Sequence, residues 1–266
     1  MIIFIAAIAG LLIGSFLNVC IYRMPLEKSI IRPRSHCTQC NHMIAWYDNI
    51  PVISFIMLLG RCRFCKKRIS VRYAAVEILT SAVFVLLVKQ LGFNAVTLIY
   101  MALSCGLIAA TFIDIDYQII PDEITYGGMV AGLILSIIFP DLHETANRLY
   151  SLRSSFLGLL LGGVLIYAIS WIGTIVFKKK LKEIGEETAM GGGDVKYLAM
   201  IGAFLGVKGV IIVFFLAPFF GSIIGIIEKI RKKADIIPYG PYLSIAALIT
   251  ILWGGIIIRT LFPSVF

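Results

Sequence analysis

The chain has 266 residues, 59% of them hydrophobic and only 15% charged, with a mean hydropathy of +0.95. A soluble domain of this length needs far less apolar sequence to build a core, so the composition excludes a soluble globule and points to a polytopic membrane protein. The formal charge of +9 raises a nucleic-acid partner, but the basic residues lie in loops between apolar runs with no aromatic-plus-basic groove, so membrane lipid and no nucleic acid is the reading.

The predicted fold class is all-α and polytopic, with about eight transmembrane helices and a cytoplasmic zinc-binding loop insertion. Apolar runs place the helices near residues 1–22, 74–91, 95–113, 123–139, 155–177, 194–206, 208–228 and 240–262. The sixth is short and is expected to be tilted or partly embedded in protein. Residues 1–22 contain no Lys or Arg, and a cleavable signal peptide needs a basic start, so they read as the first transmembrane helix. Three parts follow: this helix, a cytoplasmic four-cysteine loop at 23–73, and a multi-helix membrane domain at 74–266.

Loop charge sets the orientation. Of the Lys and Arg residues, nineteen fall in 23–73, 178–196 and 229–238 and five on the opposite side. The richer side is the cytoplasm and the N-terminus lies outside. The same topology puts Asp114, Asp116 and Asp194 at the cytoplasmic face of the cytoplasmic membrane.

The insertion at 23–73 is basic at both ends, but its middle, 44–59, is apolar; it is too short to span and is expected to pack on the membrane face. The insertion carries two C-x-x-C pairs, Cys37/Cys40 and Cys62/Cys65. Four thiolates at that spacing suit a closed tetrahedral zinc site, which leaves no position for water and is structural. The rival is a dithiol relay, and a reducing cytoplasm argues against stable disulfides. His36 and His42 flank the first pair as surface residues, while Cys20 and Cys105 sit in apolar runs as small buried side chains.

Two acidic clusters end apolar segments: Asp114 and Asp116 in the run to Asp122, and Asp194 directly after Gly191, Gly192 and Gly193. Acids at lipid level need a job or a partner. Two carboxylates forced together share a proton and titrate as a unit, so one can act as base on a water while the other protonates a scissile carbonyl. The three glycines leave room for a substrate backbone. Asp116 is either support for this pair or itself the nucleophile's position. Asp122 and Glu123, after Pro121, read as first-turn helix residues, and Lys196 as a topology anchor beside the site. Glu77 is expected to bond either the loop or an Arg. No H-E-x-x-H run occurs, and His143 falls on the outer side, away from the acids. An ion transporter would place its acids deep within segments, and a thiol oxidoreductase would need accessible thiol pairs; acids and thiols together on the cytoplasmic side favour a peptidase.

At these residues the chain resembles the type IV prepilin peptidases, membrane aspartic proteases of the GxGD type. The resemblance rests on Gly14-Ser-Phe-Leu-Asn-Val-Cys-Ile-Tyr-Arg-Met-Pro25, Arg34-Ser-His-Cys37, Trp46-Tyr-Asp-Asn-Ile-Pro51, Asp114-x-Asp116 with Ile120-Pro-Asp122, Gly191-Gly-Gly-Asp-Val-Lys196 and Pro238-Tyr-Gly-Pro-Tyr242. Thr38 and Cys20 stand where the family commonly has proline and valine. The resemblance implies an enzyme that cuts the basic leader from prepilins or pseudopilins, with Asp114 and Asp194 catalytic, and then N-methylates the new terminus from S-adenosylmethionine. It makes 74–266 the peptidase domain and associates the cysteine loop with methyl transfer; some relatives lack methylation along with the cysteines, and all four cysteines are present here. No cofactor is needed for the peptidase step. The donor-binding residues do not follow from spacing, since no glycine-rich nucleotide fingerprint is present. Glu183, Glu186 and Glu187, just before the glycines, are expected to attract the basic leader. A solvated linker is the alternative.

Overall fold

The computed structural model describes residues 1–183, 187–230 and 238–261, which consist of helices and connecting loops with no named strand. The elements are α1 (Ile2–Arg23), α2 (Ile53–Met57), α3 (Arg72–Leu91), α4 (Ala95–Tyr117), α5 (Asp122–Ile138), α6 (Arg148–Val176), α7 (Lys178–Glu183), α8 (Gly192–Ile230) and α9 (Gly240–Leu261). Six of them (α1, α3, α4, α6, α8 and α9) are long and apolar enough to cross a membrane.

All eight expected apolar segments fold as helix, with two refinements to their number. The segment expected at 123–139 is α5, whose 17 residues fall at the short limit of a span. The segments expected at 194–206 and 208–228 are two helices joined end to end within α8. Gly206 stands between them at φ 65°, ψ −172°, a backbone region that residues with a Cβ avoid. The expected shortness of the sixth segment is thus the length of α8 before its kink.

The chain forms two compact units, residues 1–113 and 114–266, with the division inside α4. In the first unit α1 lies against α3 at backbone contact. A Cβ on Gly10 would fall 2.5 Å from Ser81 Cα, and one on Gly14 2.7 Å from Glu77 Cα. Lipid supplies no hydrophobic force between helices, so such pairs hold by close packing and interhelical hydrogen bonds. Two bonds of that kind flank the glycines: Ser81 Oγ donates to Ala7 O at 2.9 Å, and Asn18 Nδ2 to Tyr73 O at 2.9 Å. The insertion follows α1. Its apolar middle forms a 3-10 turn at Trp46–Asn49 and the short α2, with Trp46, Ile56, Met57 and Leu59 facing outward.

The second unit repeats the same device between α6 and α8. A Cβ on Gly158 would lie 2.2 Å from Gly202 O, and one on Gly202 2.1 Å from Gly158 O. Beside them Ser155 Oγ donates to Ala203 O at 2.6 Å. α6 starts where Asn147 Oδ1 accepts from the Leu149 and Tyr150 N–H groups, the usual role of an Asn N-cap. The buried side chains of this unit include Ile166, Leu198, Ile201, Val210, Val213 and Leu243.

Candidate active site and metal centre

Within the second unit, three chain segments converge on two carboxylates. Asp114 comes from the last turn of α4 and is 5% exposed. Its Oδ2 accepts the Gly240 N–H at 2.9 Å. Gly240 is the first residue of α9, so Asp114 satisfies an orphan donor at the positive end of that helix. Asp194 lies in the first turn of α8, with its N–H donating to Gly191 O at 3.2 Å. Each carboxylate therefore sits at a helix N-terminus, and the two are close enough that Asp194 feels the charge of Asp114. An acid pair this close can hold one proton between them.

A Cβ at Gly240 would press on the acid, lying 2.8 Å from Asp114 Oδ2, so the carboxyl would have to shift to make room for it. Behind it, Ser244 Oγ donates to Gly240 O at 2.9 Å and meets the fully buried Tyr197 hydroxyl at 2.7 Å. With the Ser244 proton directed at Gly240 O, the Tyr197 hydroxyl is the donor to Ser244. One hydrogen-bonded chain thus runs from Tyr197 through Ser244 and Gly240 to Asp114. The first turns of α8 and α9 are fixed to each other at the point where α8 carries Asp194 and α9 binds Asp114.

The other residues expected at this site divide. A Cβ on Gly193 would touch Ile120 at 3.4 Å, whereas one on Gly192 would meet nothing within 4 Å. Gly191 is equally open, its nearest atom being Asp194 Oδ2 at 3.7 Å. Packing therefore does not force Gly191 and Gly192 to be glycines. Lys196 forms an ion pair with Asp122 and lies over the Tyr126 ring at 5.2 Å. Asp122 opens α5 after Pro121, as expected of a first-turn acid. Asp116 is exposed two residues beyond Asp114, a spacing that points the two side chains in different directions on a helix. Glu183 and Glu187 are exposed; Glu186 lies outside the described residues.

The insertion, in the first unit, brings Cys37, Cys40, Cys62 and Cys65 together with all four sulfurs within 4.8 Å of one another. Cys37 Sγ and Cys65 Sγ are 3.9 Å apart, too far for a disulfide and close to the ~3.8 Å that separates sulfurs around a tetrahedral ion with 2.3 Å bonds. The cluster can hold a metal ion. It is built from two equivalent turns. Cys37 N donates to His42 O and Asn41 N to Cys37 O; Cys62 N donates to Lys67 O and Lys66 N to Cys62 O. Asn41 and Lys66 both take positive φ, 55° and 58°. These turns point backbone N–H groups at the sulfurs: Cys62 Sγ accepts from Cys65 N–H and Phe64 N–H, bonds that favour the thiolate a metal requires. His36 and His42 lie outside the four-sulfur cluster. His36 Nδ1 meets Arg34 O at 3.2 Å, and His42 stacks on Phe64 with ring centroids 3.4 Å apart. Arg63 clamps the second turn to Asp48 through two bonds of 2.7 and 2.5 Å, which hold the Asp48 carboxyl below its usual range.

Comparison with known proteins agrees with this two-part arrangement. Residues 8–91 match the bacterial peptidase A24 N-terminal domain, and residues 101–226 match the type IV leader peptidase family. A prepilin leader peptidase/N-methyltransferase of Pseudomonas putida is 32% identical over 94% of this chain and 90% of its own length. The chain belongs to the type IV leader peptidase family. Other members include a type 4 prepilin-like proteins leader peptide-processing enzyme of Escherichia coli, 35% identical over 93% of this chain and 92% of its own length. A prepilin leader peptidase/N-methyltransferase of Myxococcus xanthus is 37% identical over 83% of this chain, which spans 61% of that protein. No solved structure matches the chain.

Two features of this family member escape a reading of its sequence. Gly240 is visible there only as part of the Pro238–Tyr242 run, and its bond to Asp114 joins residues 126 apart. The Tyr197–Ser244 pair carries no local signal. The equivalence of the two cysteine turns does leave a trace, in the shared C-x-x-C spacing that each turn closes with a residue at positive φ. Glu77, for which loop and Arg are both open from sequence, bonds the loop: its Oε2 accepts the Val52 N–H at 2.7 Å.

Proposed function

We propose that this chain cuts the basic leader from type IV prepilins and pseudopilins by aspartic-protease chemistry, with Asp114 and Asp194 as the acid–base pair, and N-methylates the new N-terminus. The observation that carries the peptidase reading is the pairing of these two acids at the N-termini of α8 and α9. One carboxylate takes a proton from water as the water attacks the scissile carbonyl, and its protonated partner donates to that carbonyl oxygen. Gly191 and Gly192, open on their Cα faces, support close approach of an extended leader backbone. Asp116 and Lys196 act outside the acid–base pair, Lys196 by fixing Asp122 and with it the start of α5.

The cysteine cluster fits zinc in its donor set and its spacing, and such an ion stiffens the insertion rather than taking part in hydrolysis. S-adenosylmethionine is the methyl donor that the family resemblance implies, and the peptidase step uses no cofactor. The excess of basic residues in 23–73, 178–196 and 229–238 supports a cytoplasmic-membrane protein with the acids on the cytoplasmic side and lipid headgroups, not nucleic acid, meeting the charge.

The test is to incubate membranes containing the protein with a purified prepilin and S-adenosylmethionine and to weigh the product. Loss of the leader and gain of one methyl group are the expected result; a prepilin that keeps its leader overturns the peptidase reading.

A further inference from the structure

Tyr197 stands three residues after Asp194 in α8, so the two side chains lie on one side of that helix. It is fully buried, and by volume the largest such side chain among the described residues. A phenylalanine would fill the same space, whereas a buried hydroxyl is costly unless it has a partner. The partner is Ser244, four residues after Gly240 in α9, with the two oxygens 2.7 Å apart. The bond therefore crosses from α8 to α9 one turn inside the point where each helix begins.

At the helix starts themselves a side chain keeps the two apart. Ile120, buried in the loop from α4 to α5, reaches both. A Cβ on Gly193 would lie 3.4 Å from Ile120 Cβ, and one on Gly240 3.3 Å from Ile120 Cδ1. An apolar wedge at the starts and a hydroxyl bond one turn deeper together fix the gap between the first turns of α8 and α9. That gap matters because each turn holds one acid. Asp194 belongs to α8, and Asp114 accepts the Gly240 N–H of α9. Tyr197 lies close enough to both acids to feel their charge.

We propose that Tyr197 is a positioning residue for leader cleavage: its bond to Ser244 sets the spacing of the first turns of α8 and α9, and through them the spacing of Asp194 and Asp114. The inference rests on the reading of these acids as the catalytic pair. Two carboxylates share a proton only while they stay close, and misplacing a reacting group by about 1 Å costs up to about 100-fold in rate. Without the bond the helix starts part around Ile120, and Gly240 draws Asp114 away from Asp194. Both hydroxyls are buried behind the helix starts, so the leader touches neither of them. The loss therefore falls on turnover and not on leader binding.

A double-substitution cycle tests this, on cleavage of a purified prepilin by the full-length protein in detergent, with melting temperature read alongside. Tyr197→Phe and Ser244→Ala are each expected to lower kcat about tenfold and to leave KM within about twofold. The doubly substituted Tyr197→Phe, Ser244→Ala protein is expected to be no slower than Ser244→Ala alone, because both changes break the same bond. Removing both ends of the bond should also restore most of the melting temperature lost in Tyr197→Phe, with kcat still low. Thr250→Val is the control, since the Thr250 hydroxyl bonds only back to Ala246 O within α9, and wild-type turnover is expected. Wild-type kcat in folded Tyr197→Phe, losses that multiply in the double variant, or turnover that returns with its stability would overturn the inference and leave the acid pair in place. Continued cleavage by Asp114→Asn would instead remove the reading beneath it.

Discussion

Gly240→Ala isolates the contact on which the acid pair depends. The added methyl would lie 2.8 Å from Asp114 Oδ2 and 3.3 Å from its Cγ. Restoring an ordinary 3.4 Å contact from 2.8 Å moves the oxygen by 0.6 Å. The Gly240 N–H to Asp114 bond, now 2.9 Å, would be stretched to the edge of hydrogen bonding. A hydrogen bond to a charged group contributes about 1.5–3 kcal/mol, so kcat for leader cleavage should fall roughly 10- to 150-fold. KM should hold, because the bond orients a reacting group and not the leader. The assay is cleavage of a purified prepilin in detergent, with melting temperature as a check on folding. Gly255→Ala in the same helix is the control, since a Cβ there meets nothing within 4 Å. Full turnover in Gly240→Ala, or an equal loss in Gly255→Ala, would refute the claim that this bond sets the geometry of Asp114.

Cys62→Ser should abolish zinc binding, measured by metal analysis, and leave leader cleavage in place; retention of zinc would show that three thiols suffice. His143 is held down to about 4 by burial, with Nε2 lacking a partner among the described residues. Its folded value lies below the unfolded one of about 6.5, so the unfolded chain binds the extra proton as pH drops. Stability should therefore fall between pH 6.5 and 4 by at most about 3 kcal/mol, and His143→Gln should flatten that part of the melting-temperature profile. Reversing charge at Glu183 and Glu187 should raise KM for a basic leader more than it lowers kcat, and the effect should shrink in salt. Unchanged affinity and salt dependence would make these acids a solvated linker.

How much of this is legible in the sequence depends on the range of each interaction. The helices are plain, because a span needs about 20 apolar residues in sequence and lipid tolerates no unsatisfied backbone. The kink at Gly206 is half legible: the sixth segment ends there, but a positive φ leaves no mark beyond the glycine itself. The acid pair can be picked from the sequence because Asp114 and Asp194 interrupt apolar runs. What holds Asp114 cannot, since a backbone N–H carries no side-chain signature and Gly240 lies far along the chain. The packing of α1, α3 and the insertion around Glu77 is hidden for a related reason. Glu77, Asn18 and Val52 belong to three different segments, and only the close approach of α1 and α3 at Gly14 brings the first two together. The cysteines, by contrast, announce their site by spacing alone.

The acid pair itself is tested most directly by following leader removal from a purified prepilin in membranes carrying wild-type, Asp114→Asn or Asp194→Asn protein. The account predicts mature pilin from the wild type and none above background from either variant, each protein being present at equal amounts. Continued cleavage by either variant would contradict the assignment of proteolysis to these two carboxylates.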